Sequence, residues 1–264
     1  VSPALILSLM GAAALVCIVL FLSLGARGSW SFVLPYRGMR LAALVVVAAA
    51  VSISTVLFQT VTNNRILTPS IMGFDSLFVL IQTCILFFFG AIALSGLDPR
   101  LLFMVQVAVM AGFSILLYKL LFSGGMRSLH LMLLVGVVFG VFFRSLSGLM
   151  QRLMDPNEFV VLQDRLFASF NTVDPQLLGI SAVVLTVVSV LALRNLSVLD
   201  VLALGRDTSI GLGVDHRRAV RGILLCVALL VAISTALVGP VTFFGLLVAL
   251  SLIHISEPTR LRRI

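Results

Sequence analysis

Apolar residues in this chain neither alternate nor keep to one helix face. They run in blocks of about twenty, separated by short polar breaks. Such a block crosses the ~30 Å of hydrocarbon in a bilayer, where the backbone must satisfy its own hydrogen bonds, so each block predicts a transmembrane helix. The predicted spans are Pro3 to Leu24, Leu41 to Thr60, Phe74 to Leu94, Leu101 to Phe122, Leu129 to Met150, Gln176 to Leu193 and Gly222 to Val238. An eighth begins at Gly239-Pro240. Between the first two, Arg27, Trp30, Pro35, Arg37 and Arg40 read as a loop, with Trp30 and Tyr36 suited to the membrane interface.

Two connections carry patterns of their own. In Gln151 to Pro175, Asp155-Pro156 is a helix-start signal, and Phe159, Leu162, Leu166 and Phe170 are spaced for one apolar face. This predicts a short helix lying at the membrane surface. In Arg194 to Arg221, Gly205 and Gly213 permit sharp turns, and Asp207, Thr208 or Ser209 can cap a short helix between them. Leu204, Ile210, Leu212 and Val214 give that segment an apolar side, and Arg206, Asp207, Asp215, Arg217 and Arg218 a charged rim.

Two stretches repeat one another. Val51 to Thr62 reads VSISTVLFQTVT and Val231 to Thr242 reads VAISTALVGPVT, with Val, Ile, Ser, Thr, Leu, Val and Thr in register. The copies fall an odd number of spans apart, so they point in opposite directions, the signature of an inverted repeat in a transporter fold. The first unit covers roughly residues 35 to 150, and the offset places the end of a second near residue ~330. About two further spans are therefore expected beyond the C-terminus, and Val1, not being a start residue, suggests a cut N-terminus. The last residues, LSLIHISEPTRLRRI, break the eighth span with Glu257-Pro258 and three arginines and read as a non-native end.

Composition agrees with the pattern. Hydrophobic residues make up 61% of the chain and charged residues 11%, which excludes an ordinary soluble domain. The net charge of +8 sits in short connections, as headgroup contacts do, and gives no nucleic-acid signal. Lys and Arg counts nearly tie on the two sides, so charge alone does not orient the chain. Cys17, Cys84 and Cys226 lie inside apolar blocks without metal-ligand spacing and read as filler. No nucleophile constellation, metal cluster or phosphate loop is visible, so neither catalysis nor a cofactor is expected and any ATP is hydrolysed elsewhere. Arg144 stands near the middle of the fifth span, where a charge faces a cavity or partner, or snorkels. Asp75 either pairs with Arg65 or caps the third span; the cap is the favoured reading. Gly136 and Gly140 form a G-x-x-x-G pair that permits close helix approach, within the bundle or between two such membrane subunits.

Three places carry a family resemblance. They are Asn63-Asn64-Arg65-Ile66-Leu67-Thr68-Pro69 with Met72-Gly73; Leu204-Gly205 with Leu212-Gly213-Val214; and Val238 to Val248, VGPVTFFGLLV. The chain resembles the permease subunit of the iron-siderophore and vitamin B12 ABC importers (FecCD type). NNRILTPSIMGFD, SLHLMLLVGVVFG and DPNEFVVLQDRLFASFN resemble the branch that imports ferric catecholate siderophores. It departs from the family where Asn64-Arg65 replaces Asn-Pro and where the Pro-His or Asn-Leu-Ala continuation is missing.

The resemblance implies an all-α polytopic bundle with an inverted repeat, about eight spans being present of an expected ten. It implies a permease domain over 1–249, incomplete at its C-terminus, followed by a tail over 250–264. Residues Leu204, Gly205, Arg206, Asp207, Leu212, Gly213 and Val214 would form the loop that couples to an ATPase. Asn63, Asn64, Arg144, Phe159, Gly239, Pro240 and Phe243 would border the translocation path or its gate, although Asn63 and Asn64 also suit a structural role at a helix break. The implied partners are ATPase subunits, a second, different permease, a siderophore-binding protein outside the membrane, and the lipid of a bacterial inner membrane. An ion-coupled secondary transporter would need paired acids near the midplane, and the spans carry almost none. A permease for cobalamin or haem, or a non-transporting assembly subunit, are the other readings.

Overall fold

A computed structural model describes residues 3–25, 29–122, 129–171, 173–241 and 244–256 of the chain. The helices are α1 (Pro3–Ser23), α2 (Trp30–Thr62), α3 (Phe74–Ser95), α4 (Pro99–Phe122), α5 (Leu129–Leu153), α6 (Pro156–Leu166), α7 (Pro175–Arg194), α8 (Leu196–Ala203), α9 (Arg206–Gly211), α10 (His216–Val238) and α11 (Phe244–Ser256), with a 3-10 turn at Pro69–Met72. Among the described residues, seven helices are long and apolar enough to cross a membrane: α1 to α5, α7 and α10. The eighth predicted span is represented by α11, at 13 residues shorter than the ~20 that cross a bilayer. The chain is a multi-pass, all-α membrane protein.

The second span begins earlier than its apolar pattern suggests. The expected loop at Trp30 to Arg40 is helical, including Pro35. Inside a helix proline forfeits one backbone hydrogen bond and crowds the carbonyl of the preceding turn, so this extension needs support from elsewhere. The extension is tied down by Arg37, whose guanidinium donates to Phe21 O at 2.8 Å, Leu24 O at 2.8 Å and Gly25 O at 3.2 Å. A cation thus satisfies carbonyls at and just beyond the end of α1, where the helix dipole favours positive charge.

Helix α10 is the hub of the bundle and α1 its periphery: 56% of the most apolar stretch of α10 is buried against none of that of α1. α10 packs on α2, α4 and α7. The pairing with α2 joins the two copies of the repeat. Leu57 shares a groove wall with Ala219, Ile223 and Cys226, while the earlier residues Val51, Ser54 and Thr55 share a chamber with Val231, Ser234 and Thr235. Rising numbers on α2 meet falling numbers on α10, so the two copies run antiparallel. α3 bends at Gly90 (φ 73°, ψ 166°), where the apolar block alone reads as one straight helix. The bend brings α6 onto α3: a side chain at Gly90 would lie 3.0 Å from Glu158 Oε1, and Leu162 is buried in a cluster with Leu86 and Met154.

Gly136 and Gly140 serve packing inside the bundle. A Cβ on Gly136 would stand 2.9 Å from Met72 Cα, and one on Gly140 3.2 Å from Gly73 Cα. The alternative, an interface between two permeases, does not hold for this pair.

Candidate coupling elbow and gate

The connection between α7 and α10 folds as an elbow of two short helices, α8 and α9, rather than the single amphipathic segment expected. Gly205 (φ 97°) makes the turn between them and Gly213 (φ 82°) the turn into α10. Both angles lie in the left-handed region, which costs other residues roughly 1–2 kcal/mol. The expected caps fall differently. Asp207, Thr208 and Ser209 lie inside α9, whose N-cap is Gly205 with no side-chain bond. A cap at the first turn must precede the helix, and these three follow its start. The capping carboxylate is Asp215, which accepts from Arg218 N at 3.2 Å and pairs with Arg218 Nε at 3.0 Å, opening α10.

α9 is anchored through one buried side chain. Ser209 Oγ donates to Arg206 O at 2.8 Å and stands 3.0 Å from His216 Nδ1 on α10. The sequence marked Ser209 only as a possible cap and did not mark His216, because a Ser and a His seven apart carry no pattern until the turn at Gly213 folds them together. Leu204, Ile210 and Leu212 point outward, at 62%, 52% and 60% exposure, with Arg206 and Asp207 exposed beside them and Val214 half-buried. The elbow therefore presents an apolar ridge with a charged rim, held from behind by a serine–histidine contact.

Asn63 connects this elbow to the first repeat. It ends α2 in the left-handed conformation (φ 49°), and its Nδ2 donates to Leu202 O on α8 at 3.4 Å. Asn64 Oδ1 accepts from Ile66 N at 3.0 Å, a local turn. Both asparagines act on backbone groups freed at the helix break. Of the expected path residues, these two sit with the elbow rather than with α6.

Phe159 stands at the α5–α6 corner, and Arg144 lies two turns back from Arg152 along α5. Asp155 caps α6 by accepting from Asn157 N at 2.8 Å. The apolar face of α6 is narrower than expected: Leu162 is fully buried and Leu166 half-buried, whereas Phe170 lies beyond the helix. Phe159, 37% exposed, lines an open groove of about 450 Å³ with Gly148, Gln151, Arg152, Met154 and Pro156. Arg144 is exposed one turn before Gly148, so Arg144, Gly148 and Arg152 follow one row of α5.

Gly239 closes the corner from the α10 side. A Cβ there would meet Ala168 Cα at 3.2 Å, just past α6, and Ser169 N donates to Val238 O at 2.8 Å. Pro240 follows, half-buried. Phe243 lies outside the described residues, as do Thr242 and residues 257–264 of the expected tail; α11 itself runs through the 249/250 boundary.

A small chamber of about 20 Å³, room for one water, lies where the repeats meet. Ser54, Thr55, Thr68, Asp75, Ser234 and Thr235, all buried, line it together with Gly245. The hydroxyls of Ser54, Thr55 and Ser234 donate to carbonyls of their own helices, which leaves oxygen lone pairs facing the chamber. Among the described residues no cluster could hold a metal ion.

Residues 4–264 match the FecCD transport family. The chain belongs to that family. It is 46% identical to the petrobactin import system permease protein YclO of Bacillus subtilis (strain 168), over 92% of this chain and 76% of the relative. It is 44% identical to the petrobactin import system permease protein FatC of Bacillus anthracis, over 82% of this chain and 61% of the relative. More distant FecCD-type relatives include the vitamin B12 import system permease protein BtuC of Vibrio cholerae, 30% identical over 83% of this chain and 63% of the relative. In fold, the chain superposes with a TM-score of 0.81 on a solved structure described as an inward-facing metal-chelate type ABC transporter. That match covers 97% of this chain and 82% of the other, at 23% identity.

Proposed function

We propose that this chain is the membrane-spanning permease subunit of an ATP-driven importer of ferric siderophore, of the kind for which its petrobactin-import relatives are named. The observation that carries the reading is the elbow: an exposed apolar ridge of Leu204, Ile210 and Leu212 on a short helix fixed between two left-handed glycines. A transporter whose fuel is burned in another subunit needs such a stiff projection, because a floppy loop would absorb the motion it should transmit. On this reading the ridge seats in a cytoplasmic ATPase subunit, the chain lies in a bacterial inner membrane, and the elbow faces inside. The α5–α6 corner then lies at the outer mouth, where a binding protein delivers its cargo. There Arg144 and Arg152 offer positive charge to an anionic ferric chelate. A second permease, a different chain, completes the path, and alternating access follows from the two permeases rocking about it.

The test is uptake of radiolabelled iron from a ferric siderophore in cells lacking their own permease and supplied with this one and its transport partners. The expected result is uptake that is lost in Gly205→Val and Gly213→Val. No Cβ at either position meets an atom within 4 Å, so these changes strain the elbow without a clash. Uptake that survives both changes would sink the coupling assignment. Absence of uptake together with absence of ATPase copurification would sink the importer reading itself.

A further inference from the structure

The end of the bundle that carries the elbow also carries a cationic groove. It lies between the C-terminal end of α4 and the N-terminal end of α10 and has a volume of about 450 Å³. Lys119, Arg218 and Arg221 line it together with Ser114, Ile115, Tyr118, Gly222, Leu224 and Leu225, and none of these described lining residues is acidic. Tyr118 Oη donates to Arg217 O at 3.4 Å, which ties the two helix ends together at its mouth. The larger groove on the other side of α10, about 620 Å³, differs in holding Asp215 with Arg218 and in its otherwise almost apolar wall.

Three features fix the occupant. The cations stand at the ends of two membrane-spanning helices, the depth at which lipid headgroups lie. Below them the wall turns apolar, and Ile115 and Leu225 are exposed at 44% and 38%. Arg218 pairs with Asp215, and Lys119 and Arg221 bring further positive charge to the same mouth, so a ligand with a negative head and a hydrocarbon tail matches both halves. Basic pockets between spans on the cytoplasmic side are sites for anionic lipid headgroups. We propose that this groove is a binding site for one anionic glycerophospholipid, its phosphate held by Lys119, Arg218 and Arg221 and an acyl chain lying along Ile115, Leu224 and Leu225. The site abuts the elbow through Arg218, so its lipid steadies the start of α10, the helix on which the coupling ridge is anchored. The charge and the apolar wall of the groove stand without the elbow reading; its place on the cytoplasmic side and its steadying role rest on that reading.

The experiment compares purified full-length protein in nanodiscs of phosphatidylcholine with and without phosphatidylglycerol, and counts retained lipid by native mass spectrometry. Wild type should retain one phosphatidylglycerol and melt at a higher temperature when it is present. Lys119→Gln with Arg221→Gln should weaken that preference about 30-fold, from about 1 kcal/mol per surface cation. Arg100→Gln, at the opposite end of α4, should leave it unchanged.

Equal retention of both lipids by wild type would overturn the proposal whether or not the double variant folds. So would the same stabilisation by inorganic phosphate, which would make the site one for a free anion. A groove filled by a further segment of polypeptide would show no phosphatidylglycerol preference at all and would also refute it. Retained lipid in the double variant with loss of ATPase copurification would assign the cations to a protein partner instead.

Discussion

The glycines of this bundle separate by what stands opposite them. At Gly136 a Cβ meets the Met72 backbone at 2.9 Å, whereas at Gly112 it meets nothing within 4 Å. Backbone cannot step aside as a side chain can, so Gly136→Val should cost about 1–3 kcal/mol. Gly112→Ala should hold or raise stability, because alanine favours helix by about 1 kcal/mol over glycine. Thermal unfolding of both variants in detergent checks the contrast; equal melting temperatures would refute it. Arg37→Ala should lower stability by about 0.5–1 kcal/mol through the carbonyls it leaves at the end of α1. The close approach at Gly136 and Gly140 was legible in their spacing. That at Gly245, where a Cβ would come within 2.5 Å of Thr55 Oγ1, was not, because its partner belongs to a helix nearly the whole chain away.

Among elements, α10 shows how a boundary is set. Its carboxylate Asp215 both caps the helix and pairs with Arg218, and the pair is exposed. An exposed pair contributes little, whereas a cap contributes about 1 kcal/mol. Asp215→Ala should therefore lower the melting temperature and Asp215→Asn largely preserve it, since asparagine caps as well as aspartate. An equal loss in both would give the ion pair the larger share. α9 depends on its single anchor in the same way: Ser209→Ala removes the His216 contact and should reduce iron uptake while the melting temperature moves little. A lost melting transition with ATPase binding intact would contradict that. The existence of α6 could be read from its cap and spacing, and that of a helix near residue 207 from the glycines that flank it. The early start of α2 could not, because it rests on a tertiary bond from Arg37 to the end of α1, and the split into α8 and α9 turns on Gly205, whose left-handed angle the sequence permitted but did not require.

At the scale of the molecule, the buried hub α10 and the bare α1 describe a bundle that meets lipid around its rim. Cys17 is exposed on α1, while Cys84 and Cys226 are half-buried. A membrane-soluble maleimide should therefore modify Cys17 well before the other two, and a charged, water-soluble one should reach it slowly. Fast labelling of Cys17 by the charged reagent would place α1 outside the bilayer. The amino-acid pattern by itself determined that the chain spans the membrane many times, and that two of its stretches are copies. Those conclusions follow from block length and composition, which the solvent enforces whatever the partners. The repeated Ser-Thr pairs also carried the antiparallel sense of α2 and α10, since an odd number of crossings reverses direction. Only the tertiary structure decided that Ser54, Thr55, Ser234 and Thr235 close on one chamber, that Gly90 bends α3 onto α6, and that Lys119 joins Arg218 and Arg221 in one groove. Each depends on the rotation of one helix about its axis relative to another. In a chain whose lipid-facing and core-facing residues are equally apolar, the sequence leaves that rotation unmarked.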